Sequence, residues 1–268
     1  MNYYRGRLVA GSLGLAFMAA LMASNGWVNS PKVKAADAAS PSLKPETWKE
    51  LVTDDSLKLM LSSQVDVIDK TLKSAGTFRR ALKKMEIAGR IVAVLGNVEV
   101  LRGSEEAAKK GAALRAAGLD LTKAAEAKNF EDATKAAEAI KSYPDKITPA
   151  AEAKPTVWSE LLDIDGLMTG VTTADLEVKK PVAATKPAEF KKLAKEAEPY
   201  ALLLAVLGSA ARDYESDKDW QKWCDDMKTE SVNLAKALNG KNEDEAKTAR
   251  DSLLKSCKAC HDAYRVEE

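Results

Sequence analysis

Apolar residues return every three to four positions through the last third of this chain. Trp220, Trp223, Met227, Leu234 and Leu238 share one helical face, and Ala246, Ala249, Leu253, Cys257, Cys260 and Tyr264 form a second stripe. The spacing predicts two amphipathic helices, one over residues 217–238 and one beginning at Asn242. Asn239-Gly240 reads as a C-terminal cap between them. Asn242 reads as the next N-cap, with Glu243, Asp244 and Glu245 complementing the helix dipole in the first turn. Upstream, the pattern predicts a helix over 156–169, a loop carrying Gly170, Pro181 and Pro187, and a long helix over 188–213. That last helix is expected to kink at Pro199, where a ladder hydrogen bond is lost, and to bury the run from Tyr200 to Leu207. No segment sustains the alternation of a strand, so the predicted fold class is all-α.

The same pattern occurs twice. Ala93-Val94-Leu95-Gly96 returns as Ala205-Val206-Leu207-Gly208, and Phe78-Arg79-Arg80 is echoed by Phe190-Lys191-Lys192 at the same offset of 112. Lys128-Asn129 returns as Lys241-Asn242, Trp48-Lys49-Glu50-Leu51 answers Trp158-Ser159-Glu160-Leu161, and Leu59-Met60 answers Leu167-Met168. The reading is two tandem four-helix bundles, residues 42–146 and 155–268, joined by a linker over 147–154.

Chemistry concentrates at one end. Cys257-Lys258-Ala259-Cys260-His261 is a Cys-x-x-Cys-His run, which reads as a c-type haem attachment site. Positions i, i+3 and i+4 share a helix face, so both thiols and the imidazole can address one flat ligand. Two thioether bonds would tether the porphyrin while His261 binds iron as the proximal ligand. A thioredoxin-like pair would want a βαβ setting, and zinc would need a further ligand, for which Cys224 is the only spare sulfur. His261 is the only histidine in 268 residues, so one covalent haem c is expected and catalytic triads and His-rich metal clusters are excluded. In the first unit the repeat register sets Pro144 to Thr148 opposite this motif. That unit is therefore haem-less, and its Ala-rich stretch over 107–139 suits close helix packing.

Composition adds limits. Forty-one Lys and Arg nearly cancel forty Asp and Glu, which leaves no electrostatic footprint for nucleic acid. Arg5 and Arg7 precede an uncharged stretch to about Val28, followed by small residues and Val33-Lys34-Ala35, the pattern of an export signal over residues 1–35. Cleavage there would remove Arg5, Arg7, Lys32 and Lys34 and no acid, taking the formal charge from +1 to −3. The stretch is also about as long as the ~20 residues that span a bilayer, so a retained membrane tether is the alternative. Either way the folded part is expected outside the cytoplasm, in the periplasm, where covalent haem attachment takes place.

The chain resembles the class II cytochromes c, which include cytochrome c′ and its low-spin Met/His-ligated relatives. The resemblance rests on the motif near the end of a last helix and on the tail His261-Asp262-Ala263-Tyr264-Arg265; it covers the second unit well and the first only through the repeat. It implies a four-helix bundle around one haem. In the low-spin branch a methionine of the first helix binds the iron, in a segment like Leu161-Leu162-Asp163-Ile164-Asp165-Gly166-Leu167-Met168, which makes Met168 the candidate distal ligand. Met227 is a second, weaker candidate. The resemblance also implies that Lys258 and Arg265 contact the haem propionates, although cations at a helix C-terminus complement the dipole in any case. Trp220 and Trp223 are expected in ordinary core packing, with a place against the porphyrin edge as the alternative, Tyr264 in packing with its hydroxyl satisfied, and Cys224 as a small buried hydrophobe. Class II cytochromes pair as homodimers, so the first unit is expected as an internal partner in a monomeric pseudo-dimer.

The expected function is electron transfer to redox partner proteins, without enzymatic activity. A five-coordinate protein binding nitric oxide or carbon monoxide is the alternative.

Overall fold

The structure, a computed structural model, describes residues 45–264. The expected export segment and Arg265 lie outside the described residues. Eleven α-helices and one 3-10 turn, with no strand, make up the described part. The first group is α1 (Pro45–Leu51), α2 (Asp54–Thr71), α3 (Ala75–Arg80), α4 (Leu82–Arg102), α5 (Glu105–Glu126) and α6 (Phe130–Lys141). The second is α7 (Trp158–Leu161), α8 (Ile164–Val182), α9 (Pro187–Ala211), the 3-10 turn Arg212–Tyr214, α10 (Lys218–Asn239) and α11 (Glu243–Tyr264). In each group four long helices form a bundle: α2, α4, α5 and α6, then α8, α9, α10 and α11. No helix among the described residues is long and apolar enough to cross a membrane.

Helix starts follow from local chemistry. The side chains of Thr53, Ser104, Asn129, Asp163, Asp217 and Asn242 each accept a hydrogen bond from a backbone N–H of the turn they open. Each cap satisfies a donor that the helix cannot, worth about 1 kcal/mol. Pro187 opens α9, where its missing N–H costs nothing.

Two expected boundaries shift. The helix expected over 156–169 is instead the single turn α7, a break at Leu162, and then α8, which runs on through Gly170 and Pro181. Asp163 makes the break by capping α8, with its Oδ1 2.7 Å from the Gly166 N–H. Pro181 stands in the last turn, so the one ladder bond it removes falls at the helix end, where α8 stops at Val182. Gly170 is buried, and a Cβ there would touch Leu207 of α9 at 3.4 Å, so it serves helix packing rather than a loop. Pro199 lies within α9, which is continuous from Pro187 to Ala211.

The two bundles differ in how tightly they close. α4 and α5 meet backbone to backbone: a Cβ on Gly96 would lie 2.4 Å from the Arg115 N, and one on Gly118 would lie 2.6 Å from the Gly89 O. At the corresponding crossing of α9 and α10, a Cβ on Gly208 would first meet the Met227 side chain, at 3.1 Å. The first pair leaves no room for a ligand at its crossing, whereas the second crosses less closely, with the α10 backbone 3.2 Å from the same added Cβ. α6 ends at Lys141 and a cis Tyr143–Pro144 bond follows, while α11 runs on to Tyr264. The extra length of α11 carries both motif cysteines and His261.

The linker is ordered against the first bundle. Asn97, fully buried on α4, donates to the Thr156 carbonyl and accepts from the Thr156 N–H, both at 2.9 Å. Arg115 donates to Asn97 at 2.7 Å and to the Lys154 carbonyl at 2.8 Å. Trp48 of α1 and Trp158 of α7, both buried, pack with ring centroids 5.3 Å apart. One apolar core runs through both bundles.

Candidate functional site

At the end of the second bundle where α8 and α10 begin and α9 and α11 finish, a cleft encloses about 100 Å³. Cys257, Cys260 and His261 line it from α11, Leu167, Met168, Val171 and Thr172 from α8, and Ala211 from the end of α9. Trp220, Trp223, Cys224 and Met227 of α10 complete the wall. The structure thus brings the predicted motif residues, Met168 and Met227 to one place. Helical spacing explains the α11 side: Leu253 is buried in the core, Cys257 and Cys260 follow on the same face half-buried, and His261 is more exposed at the rim.

The α10 wall is braced. Trp220 Nε1 donates to the Ala211 carbonyl at 2.8 Å, tying α10 to the end of α9. Tyr264 stands edge-on to Trp220 and to Trp223, with centroids 5.3 and 5.8 Å apart. Its hydroxyl bonds to Asp217, the residue that caps α10. Burial and that carboxylate push the Tyr264 hydroxyl up to about 12. Trp220 is buried in the core, and both tryptophans also line the cleft. Leu167, Val171, Thr172 and Ala211 were not singled out from the sequence.

Charge lies at the edges of the site. Arg250 of α11 holds Asp175 of α8 through a two-pronged pair at 3.0 Å, which closes the bundle on that side. Lys258 reaches Asp262 on its own helix at 2.7 Å, an exposed i,i+4 pair. Arg265 lies outside the described residues. Burial pushes the Cys257 thiol up, the Cys260 thiol to about 11 and the Cys224 thiol to about 12. All three are free cysteines, protonated near neutrality. Among the described residues no three or more His, Cys, Asp or Glu side chains form a cluster able to hold a metal ion, which leaves the zinc reading without a ligand set.

The donor set fits a haem. Two thiols one helical turn apart and the adjoining imidazole line one face of an apolar slot whose other walls are thioethers, aliphatic side chains and indoles. The cleft, about 100 Å³, is below the ~300–1,000 Å³ of ordinary ligand pockets, so its walls would have to move apart to take a porphyrin. A larger groove of about 940 Å³ lies between α5 and α6, but alanines and mixed charges line it, without Cys, His or Met.

The corresponding corner of the first bundle is filled by side chains. In the 112-residue register Glu99 answers Ala211; it is buried, pairs with buried Arg102 at 2.5 Å and bonds to the Tyr143 hydroxyl. Arg102 also donates to the Val52 carbonyl at 3.0 Å and meets Asp54 at 2.8 Å. Burial, outweighing the pull of Arg102, raises the Glu99 carboxyl above its usual range.

A family model described as cytochrome C′ matches residues 208–265. No curated protein and no solved structure matches the chain. The matched stretch runs from the end of α9 through α10 and α11, and includes Cys257, Cys260, His261 and the α10 wall of the cleft. Over that stretch the chain is similar to the c-type haem family described as cytochrome C′.

Proposed function

We propose that the chain is an exported monohaem c-type cytochrome that passes single electrons between partner proteins outside the cytoplasm. The observation that carries this reading is the convergence of Cys257, Cys260, His261 and Met168 on one partly open cleft. Bound haem supplies the one-electron couple of its iron. Cys257 and Cys260 would hold the haem covalently through two thioether bonds. His261 would ligate its iron, with Met168 as the second protein ligand, whose thioether would raise the potential relative to a bis-imidazole site. The apolar α8 and α10 walls keep water from the cleft, and its open edge gives a partner close access.

The chain is not an enzyme on this reading, because no second histidine stands ready for acid–base work. The first bundle is a haem-less homologue of the second, fused as an internal partner, so that the protein is a monomer with pseudo-dimeric architecture. The matching helix order, caps and paired tryptophans support that relation. Residues 1–35 direct export, and they are removed or retained as a tether.

Leu167 and Val171 beside Met168 favour one alternative: if Met168 only fills space, the distal face is apolar and open to carbon monoxide or nitric oxide. Optical spectra of ferric and ferrous protein, with and without carbon monoxide, on wild type and Met168→Ala decide between them. A low-spin wild type unmoved by carbon monoxide, with a mutant that binds it, is the expected result. A wild type that binds it at once contradicts Met168 ligation.

A further inference from the structure

The first helical turn of α8 carries Leu167 and Met168 into the cleft, and what holds that turn belongs largely to the other bundle. Trp48 packs on Trp158 in α7, immediately before the break that starts α8. Asn97 of α4 pins Thr156 by two hydrogen bonds, just ahead of α7. Arg90 of α4, anchored by Glu86 and Glu126 at 3.4 Å, reaches Asp163, the α8 cap, at 3.7 Å. From the second bundle Tyr214 grips the same turn, its hydroxyl donating to the Trp158 and Leu162 carbonyls.

We infer that the haem-less bundle is a positioning element for the cleft: Trp48, Arg90 and Asn97 fix the α7–α8 turn and thereby the place of Met168. The inference rests on the cleft being the haem site. Three anchors from one bundle converge on about eight residues of the other, and the tight glycine-lined crossing of α4 and α5 gives those anchors a stiff base. The bundles also meet between α2 and α9, and the three anchors add contacts at the turn that feeds the distal wall. A displacement of this turn moves the thioether of Met168 directly, because no loop intervenes between Asp163 and Met168.

The test uses intact, haem-loaded protein with Trp48→Ala and Arg90→Gln, and with Trp48→Phe and Arg90→Lys as conservative controls. Carbon monoxide association to the ferrous form and the midpoint potential are the readouts. Displacing a supporting contact around a metal site changes its ligand behaviour by about 10-fold or more. Faster carbon monoxide binding of about that size in the first two variants, restored in the controls, is expected. Hydrogen exchange of amides 162–168 in the haem-free chain should accelerate in the same variants. Unchanged rates, potentials and exchange overturn the inference, and Arg90→Gln decides it if Trp48→Ala does not fold. A wild-type chain that takes up no haem sinks the cytochrome reading instead, and the exchange readout then still judges the positioning.

Discussion

Lys128 and Lys241, 113 residues apart, both adopt the left-handed backbone, with φ of 57° and 55°. Each ends a long helix and precedes an asparagine that caps the next. The Asn129 N–H bonds to the Ala124 carbonyl at 2.8 Å, and the Asn242 N–H to the Ala237 carbonyl at 2.9 Å. The same six-residue closure thus turns α5 into α6 and α10 into α11. A lysine pays for this conformation through its Cβ, which glycine lacks. Lys128→Gly and Lys241→Gly should therefore each raise stability by about 0.5–1 kcal/mol, read by urea unfolding of the corresponding bundle; a loss at either site would contradict the assigned turn.

The paired glycines Gly96 and Gly208 should respond differently to a methyl group. At Gly96 the added carbon meets the α5 backbone at 2.4 Å, so the helices must separate, at a cost of about 1–3 kcal/mol. At Gly208 the nearest atoms are Met227 Cγ at 3.1 Å and the α10 backbone at 3.2 and 3.3 Å, a crowding that a shift of a few tenths of an ångström relieves, and helix propensity returns up to about 1 kcal/mol. Gly96→Ala should unfold at clearly lower temperature than wild type and Gly208→Ala close to it. Equal losses would mean that the two crossings are equally tight.

The buried Glu99 sets a pH dependence in the first bundle. Its carboxyl is raised in the folded chain, so as pH climbs past the ordinary 4.5 the unfolded chain ionises first. Stability contributed by the protonated group is complete below that value and is lost as pH rises through the folded one. Glu99→Gln removes this loss while leaving Arg102 its contacts with Val52 and Asp54. Thermal melts should show the variant gaining on wild type as pH rises through this window. A difference that stays constant with pH would contradict it.

The site's thiols make a separate test. With the Cys260 thiol at about 11 against an ordinary 9.0, its thiolate fraction near pH 8 is about 100-fold lower than in an unfolded chain. In a haem-free, folded protein, alkylation of Cys260 should be slower by about that factor, and Cys224 slower still; denaturant should equalise them. Equal rates in the folded state would place the cysteines outside the cleft.

Much of this was readable in the residues. The stripes from Trp220 and from Ala246 give α10 and α11 within a residue or so, Asn242 caps as expected, and α6 stops before Pro144. The motif's spacing alone implied that Cys257, Cys260 and His261 address one space, and Met168 lines that space. The sequence misled at Gly170 and Pro181, because local breaker chemistry was outweighed by packing of α8 on α9 and by position in the last turn. The left-handed residue is Lys241, and Gly240 before it keeps helical angles, a choice set by the register of the closing hydrogen bonds rather than by residue preference. Nothing local announced Glu99 and Arg102, since two charges a turn apart usually mark a solvated face; only the fold shows them buried where Ala211 borders the cleft in the other bundle.

The central claim is that the α8–α11 cleft holds one covalently attached haem. Its most direct test is peptide mass spectrometry of the full chain, co-expressed with c-type haem maturation machinery, after acid–acetone extraction. The account predicts a single haem retained on the peptide that bears Cys257 and Cys260, and none elsewhere. Haem lost to the solvent, or a Cys257–Cys260 disulfide in its place, would contradict it.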